Sequence, residues 1–103
     1  MSDAVAGLTA DQTLLSHEGD IVAATVPALR ERIRDAIASG SRDVAIDLVS
    51  VKMLDSTGIG LLISAHNSLR KAGGRFSVRR ACPEIVDLLR TLRVNLHFSV
   101  RGD

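Results

Sequence analysis

Aromatic residues are almost missing from this sequence: 103 residues hold two phenylalanines and neither tyrosine nor tryptophan. A core must therefore be built from leucine, isoleucine, valine and alanine, and there is no platform on which nucleic-acid bases would stack. Charge of one sign is lacking as well. Thirteen Lys and Arg against twelve Asp and Glu leave a formal charge of +1, so the basic footprint of a DNA- or RNA-binding protein is absent. The one cysteine, Cys82, cannot close an internal disulfide, which fits a reducing compartment. No apolar run is long enough to span a bilayer, and no charged n-region leads into an apolar h-region. The expectation is a cytoplasmic protein that binds no nucleic acid and does not insert into a membrane.

What is present suits a folded chain. The composition is 46% hydrophobic and 24% charged, and the length is that of one domain over residues 1–103. The opening "SDAVAGLTADQ" offers at best a weak edge strand. "TLLSHEGDI" reads as a strand ending at Gly19-Asp20. From Ala23 to Ser39 the period becomes helical, with Val26, Leu29, Ile33 and Ile37 on one stripe. Pro27 belongs in the first turn of that helix and Gly40 closes it. Arg30, Arg32 and Arg34 on its outer side, with Arg42 beyond it, read as a solvated face.

"DVAIDLVSV" predicts a strand buried on both faces. A second helix follows, with Ile59, Leu62, Ile63, His66 and Leu69 at helical spacing and Gly73-Gly74 as its stop. "RFSVRR" alternates as a strand, "PEIVDLLRTLRV" is a helix opened by Pro83, and "HFSV" is a short last strand. The order is β-β-α-β-α-β-α-β. Crossover connections of this kind predict an α/β fold, with a small, mostly parallel (mixed) β-sheet and helices packed against it.

The informative stretch is "MLDSTGIGLL", residues 53–62. It lies where a strand's carboxyl end meets the next helix, the place where function gathers in open sheets. Asp55 or Ser56 could simply cap the helix. A dinucleotide cradle fails, because the third glycine of G-x-G-x-x-G would fall at Ile63, and no G-K-[ST] follows for a Walker loop. A hydrolase elbow fails too: Leu54-Asp55-Ser56-Thr57-Gly58 is not G-x-S-x-G, and none of His17, His66 and His97 stands in a recognisable base position. No metal-ligand spacing links those histidines with Cys82. The chain is therefore expected to be no enzyme and to need no cofactor or metal. In the remaining reading Ser56 is a substrate. A hydroxyl at an exposed helix start is open to a kinase, the helix end tolerates the phosphate, and the added charge of about −1.5 to −2 burdens a partner.

These residues also carry a resemblance. "AIDLVSVKMLDSTGIGLLISAHNSLRKAGGRFSVR" resembles the STAS domains, and more narrowly the bacterial anti-sigma factor antagonists. The pattern D-S-[ST]-G-[IL]-G runs here as Asp55-Ser56-Thr57-Gly58-Ile59-Gly60, and the likeness covers about residues 12–100. It implies a STAS fold and a protein whose unphosphorylated form binds a histidine-kinase-like anti-sigma factor, or a related switch kinase. It also implies that this partner phosphorylates Ser56 with ATP and that a cognate phosphoserine phosphatase reverses the step. Asp55, Ser56, Thr57, Gly58, Ile59 and Asp20 are the expected partner-binding residues. One departure stands out. The family usually reads G-E-[LIV]-D before the first helix, whereas Gly19-Asp20-Ile21-Val22 puts Val22 where that aspartate would fall. The alternative is a constitutive STAS adaptor or ligand-sensing module in another signalling or transport complex, for which the Ser56 hydroxyl would be dispensable.

Overall fold

The computed structural model describes residues 12–103. The expected N-terminal edge strand lies outside the described residues, apart from Gln12. Four strands and three α-helices alternate: β1 Gln12–Ser16, α1 Val26–Ala38, β2 Asp43–Asp47, α2 Ser56–Lys71, β3 Arg75–Arg79, α3 Pro83–Thr91 and β4 Ser99–Val100, with a 3-10 turn at Val94–Leu96 before the last strand. The described strands are all parallel and stand in the order β1-β2-β3-β4. Each connection thus moves one strand over in the same direction, and right-handed crossovers place all three helices on one face.

Alternation along β3 shows which face that is. Phe76 and Val78 are buried, while Arg75 and Arg79 are exposed. Val44 and Ile46 of β2 join the same core as Leu29 and Ile33 of α1, Leu62 and Leu69 of α2, and Ile85 and Leu89 of α3. Phe76 and Phe98, the two aromatic rings of the core, meet edge to face at 5.0 Å between centroids. As expected, β2 is buried on both sides, since Ala45 and Asp47 are as enclosed as their neighbours. Its outer side holds an ion pair that the sequence did not suggest. Asp47 receives the Arg80 guanidinium and the Val49 amide. The Arg80 hydrogen bonds hold the Asp47 carboxyl below the ordinary aspartate range, outweighing its burial.

Three boundaries differ from the sequence expectation. The first described strand ends at Ser16 rather than at Gly19-Asp20. The chain turns at Gly19, whose φ of +80° favours glycine, and then makes a single parallel bridge, outside the four strands, between Ile21 and Leu54. Helix α1 starts at Val26, not Ala23, with a turn before it in which the Thr25 and Val26 amides both reach the Val22 carbonyl. The buried stripe of α2 is Gly58, Leu61, Leu62, Ala65 and Leu69, rotated from the expected Ile59, Leu62, Ile63, His66 and Leu69. Ile63 is 37% exposed. A glycine and an alanine belong to the buried stripe, and hydrophobicity alone does not register them.

Candidate functional site

Beyond β2 the chain leaves the sheet, and the bridge from Leu54 to Ile21 draws two loops together. One joins β1 to α1, the other β2 to α2. The Ile21 amide donates to the Met53 carbonyl at 3.1 Å, and the Asp55 amide to the Ile21 carbonyl at 3.3 Å. The two aspartates then clamp the loops from opposite sides. Asp20 Oδ1 accepts the amides of Lys52 and Met53, each at 3.0 Å. Asp55 Oδ1 accepts the Gly58 amide at 2.8 Å, and its Oδ2 accepts the Ala23 amide at 3.0 Å.

Asp55 is therefore the N-cap of α2, with the extended backbone that position requires. The Gly58 amide, followed by burial and the Ala23 amide, sets its titration, and the net effect is a carboxyl below the ordinary aspartate range. It is a fixed anion at neutral pH. The loop that it grips is itself braced. The Thr25 hydroxyl donates to the Asp20 carbonyl at 2.8 Å and accepts the Val22 amide at 3.0 Å, and His17 Nε2 lies 3.0 Å from the same carbonyl.

With Asp55 as the cap, Ser56 is left free to do something else. It is the first residue of α2 and exposed, and its hydroxyl has no hydrogen-bond partner among the described residues. Thr57 is likewise exposed, and Ile59 is half-buried against the core. Gly58 is buried. A Cβ at Gly58 would run into the Ile21 carbonyl oxygen and come within 2.8 Å of Leu54 Cδ1. The glycine thus sets how closely α2 approaches the Ile21 bridge, and through that where Ser56 emerges. In the loop that leads to the serine, Met53 is 57% exposed and Val49 equally so.

Of the residues singled out from sequence, Asp20, Asp55, Ser56, Thr57, Gly58 and Ile59 all lie at this junction. They do not share one role. Ser56 and Thr57 face outward, whereas the carboxylates of Asp20 and Asp55 are engaged with backbone amides. Val22 stands half-buried in the turn before α1. Ala23 and Met53 escaped notice in the sequence because they act through backbone amides, for which side-chain chemistry gives no signal. His66 is half-buried beside Phe98, with ring centroids 5.7 Å apart, and burial lowers its pKa. Among the described residues no three His, Cys, Asp or Glu side chains converge as a metal site would require.

The STAS domain family profile matches residues 6–101. This chain belongs to the STAS domain family. Among curated proteins, the anti-sigma-B factor antagonist of Staphylococcus aureus is 34% identical over 53 residues, which is 52% of this chain and 49% of that protein. The chain thus spans about half the length of the curated relatives it matches. Among solved structures, a Thermotoga maritima protein provisionally assigned as an anti-sigma factor antagonist superimposes with a TM-score of 0.85 at 14% identity, covering 93% of this chain and 83% of that one. The anti-sigma factor antagonist SpoIIAA in its unphosphorylated form gives 0.68 at 19% identity, over 89% and 82%. The STAS domain of a Vibrio cholerae SulP transporter gives 0.71 at 21% identity, over 91% and 75%. At these identities the structural likeness speaks for the STAS fold. Among the described residues of this STAS domain, no helix is long and apolar enough to cross a membrane.

Proposed function

We propose that this STAS domain is an anti-sigma factor antagonist, a binding protein rather than an enzyme, whose contact surface is switched by phosphorylation of Ser56. One observation carries the reading: the Ser56 hydroxyl stands exposed and unpartnered at the first position of α2, while Asp55 performs the capping that would otherwise explain a serine there. The partial sequence match to the anti-sigma-B factor antagonist of Staphylococcus aureus supports the class of partner.

In this reading the unphosphorylated protein docks an anti-sigma factor with serine-kinase activity over Ser56, Thr57 and Ile59, with Met53 at the edge of the contact. Asp20, Asp55 and Gly58 hold that surface in shape. The partner transfers the γ-phosphoryl group of ATP to Ser56, and a phosphoserine phosphatase removes it. The phosphate leaves the fold intact, because the helix end favours an anion by roughly 0.3–1 kcal/mol. It does not leave the complex intact. The phosphate adds to the fixed negative charge of Asp55. One unit-charge repulsion at about 4 Å costs on the order of 4 kcal/mol at an effective dielectric near 20. That lowers affinity roughly a thousandfold.

Wild type, Ser56→Ala and Ser56→Asp used as baits in a lysate of the source organism test this directly. Wild type and the alanine form are expected to retain a kinase-like protein that the aspartate form loses. Equal retention by all three would make the domain a constitutive adaptor and Ser56 no more than a helix start.

A further inference from the structure

The sheet face that α1, α2 and α3 leave uncovered has a charge pattern of its own, remote from Ser56 in the sequence of every strand that builds it. On β3, Arg75, Ser77 and Arg79 point to this side, opposite the buried Phe76 and Val78. On β4, Ser99 pairs with Ser77. One step further the Arg101 amide reaches the Val78 carbonyl at 2.9 Å, which sets Arg101 beside Arg79. Two hydroxyls and two guanidiniums thus form a square on adjacent strands, with Arg75 extending it along β3. Together they line an open cavity of about 430 Å³ with Asp43 and Asp103 as the remaining walls, a volume within the range of small-molecule sites.

Like charges side by side on neighbouring strands disfavour the sheet unless something neutralises them. Arg101 has its answer in Asp103, through bonds of 3.1 and 3.3 Å. Arg75 stands across from Asp43 of β2, but neither the Arg75 nor the Arg79 side chain makes an ion pair or hydrogen bond among the described residues. The neighbouring Asp47 is already taken by Arg80. Three arginines against two aspartates leave the lining with an excess of positive charge, fork-shaped and flanked by hydroxyl donors, which is the donor set for phosphoryl oxygens.

We infer that this face binds a small, soluble phosphorylated compound with two phosphoryl groups, held by Arg75, Arg79 and Arg101 with Ser77 and Ser99 donating from the floor. Four strand steps lead from Arg75 to Arg79, roughly 13 Å between Cα atoms, so long guanidinium arms converge on a diphosphate better than on a single phosphate. Asp43 and Asp103 confine the positive zone to the cavity. A broad acidic protein surface would meet those two carboxylates and be repelled.

The test is a titration of the isotopically labelled protein with inorganic pyrophosphate at physiological ionic strength, followed by amide chemical shifts. Saturable shifts confined to the amides around Ser77, Arg79, Ser99 and Arg101 are expected, with affinity about tenfold weaker in Arg79→Gln and again in Arg75→Gln. The spectra themselves verify that both variants remain folded. Shifts that do not saturate, or that are the same in both variants, would reduce the cavity to non-specific ion attraction and overturn the proposal. Shifts centred on the amides of residues 56–58 would overturn it in favour of the α2 end. If the cavity amides instead shift with protein concentration alone, a second copy of the chain covers the face and the small-ligand site is refuted.

Discussion

Asp55 and Ala23 are 32 residues apart in sequence and joined by one hydrogen bond, from the Ala23 amide to Asp55 Oδ2 at 3.0 Å. The other oxygen of the same carboxylate caps α2 through Gly58. A single side chain thus fixes both the start of the helix and the loop that leads into α1. The surface around Ser56 has its shape because Asp55 holds two elements at once.

Removing that carboxylate has a cost in stability before any cost in binding. Asp55→Ala is expected to destabilise the domain by about 0.5–2 kcal/mol, the usual range for a lost N-cap. Each kcal/mol lowers the melting temperature by roughly 4–8 °C in a domain of this size. Asp55→Asn should fall between, since its one carbonyl oxygen can serve only one of the two amides well. Urea denaturation of the three proteins measures this, and wild-type stability in the alanine form would mean that the double contact contributes nothing.

Two glycines of α2 should respond in opposite directions. At Gly58 a methyl group meets the Ile21 carbonyl oxygen and Leu54, and relief requires α2 to shift. Gly58→Ala is expected to destabilise by about 1–3 kcal/mol. At Gly60 a Cβ meets nothing within 4 Å, so Gly60→Ala should stabilise by roughly 0.5–1 kcal/mol through helix propensity. Thermal melts of the pair suffice, and a shared direction would contradict the close-approach account.

Acid should unfold the domain partly through Asp47 and Asp55. Both carboxyls lie below the ordinary value of 3.8 in the folded state, so the unfolded chain binds the protons first as pH falls. Their contribution is complete above 3.8 and is lost as pH drops through the lower folded values. Asp47→Asn should be less stable at neutral pH, yet lose less of its remaining stability between pH values just above and well below that point. Denaturation midpoints as a function of pH check this, and an acid limb unchanged in Asp47→Asn would remove Asp47 from the account.

Ser56 itself should be neutral for folding. Its hydroxyl is exposed and unpartnered, and surface changes of that kind stay within about 0.5 kcal/mol. Ser56→Asp places an acid in the first turn of α2, where the helix favours it slightly. Both variants are expected to melt close to wild type. A clear loss of stability in Ser56→Ala would show the serine to be structural.

Much of this was legible in the sequence, for identifiable reasons. The helices announced themselves by period, and β2 by its apolar, β-branched residues. The motif from Asp55 to Gly60 drew attention to the junction at which Asp20 and Asp55 hold the two loops together. The rotation of α2 was hidden because Gly58 and Ala65 are buried for their smallness, and no hydrophobic stripe reveals that. The division of labour within the motif was hidden for another reason. Asp55 and Ser56 are equally good caps on paper, and only the geometry hands the amides to one and leaves the other free. The Asp47–Arg80 pair depends on two residues 33 apart, and each alone reads as an ordinary strand-end charge.

The most direct measurement is the site of phosphorylation. The purified protein would be incubated with ATP and a lysate of its source organism, recovered, and mapped by tandem mass spectrometry alongside Ser56→Ala and Thr57→Ala. A single phosphate on Ser56, absent from Ser56→Ala and retained in Thr57→Ala, is the predicted result. A phosphate found only elsewhere, or none under conditions in which the protein still captures its partner, would contradict the switch.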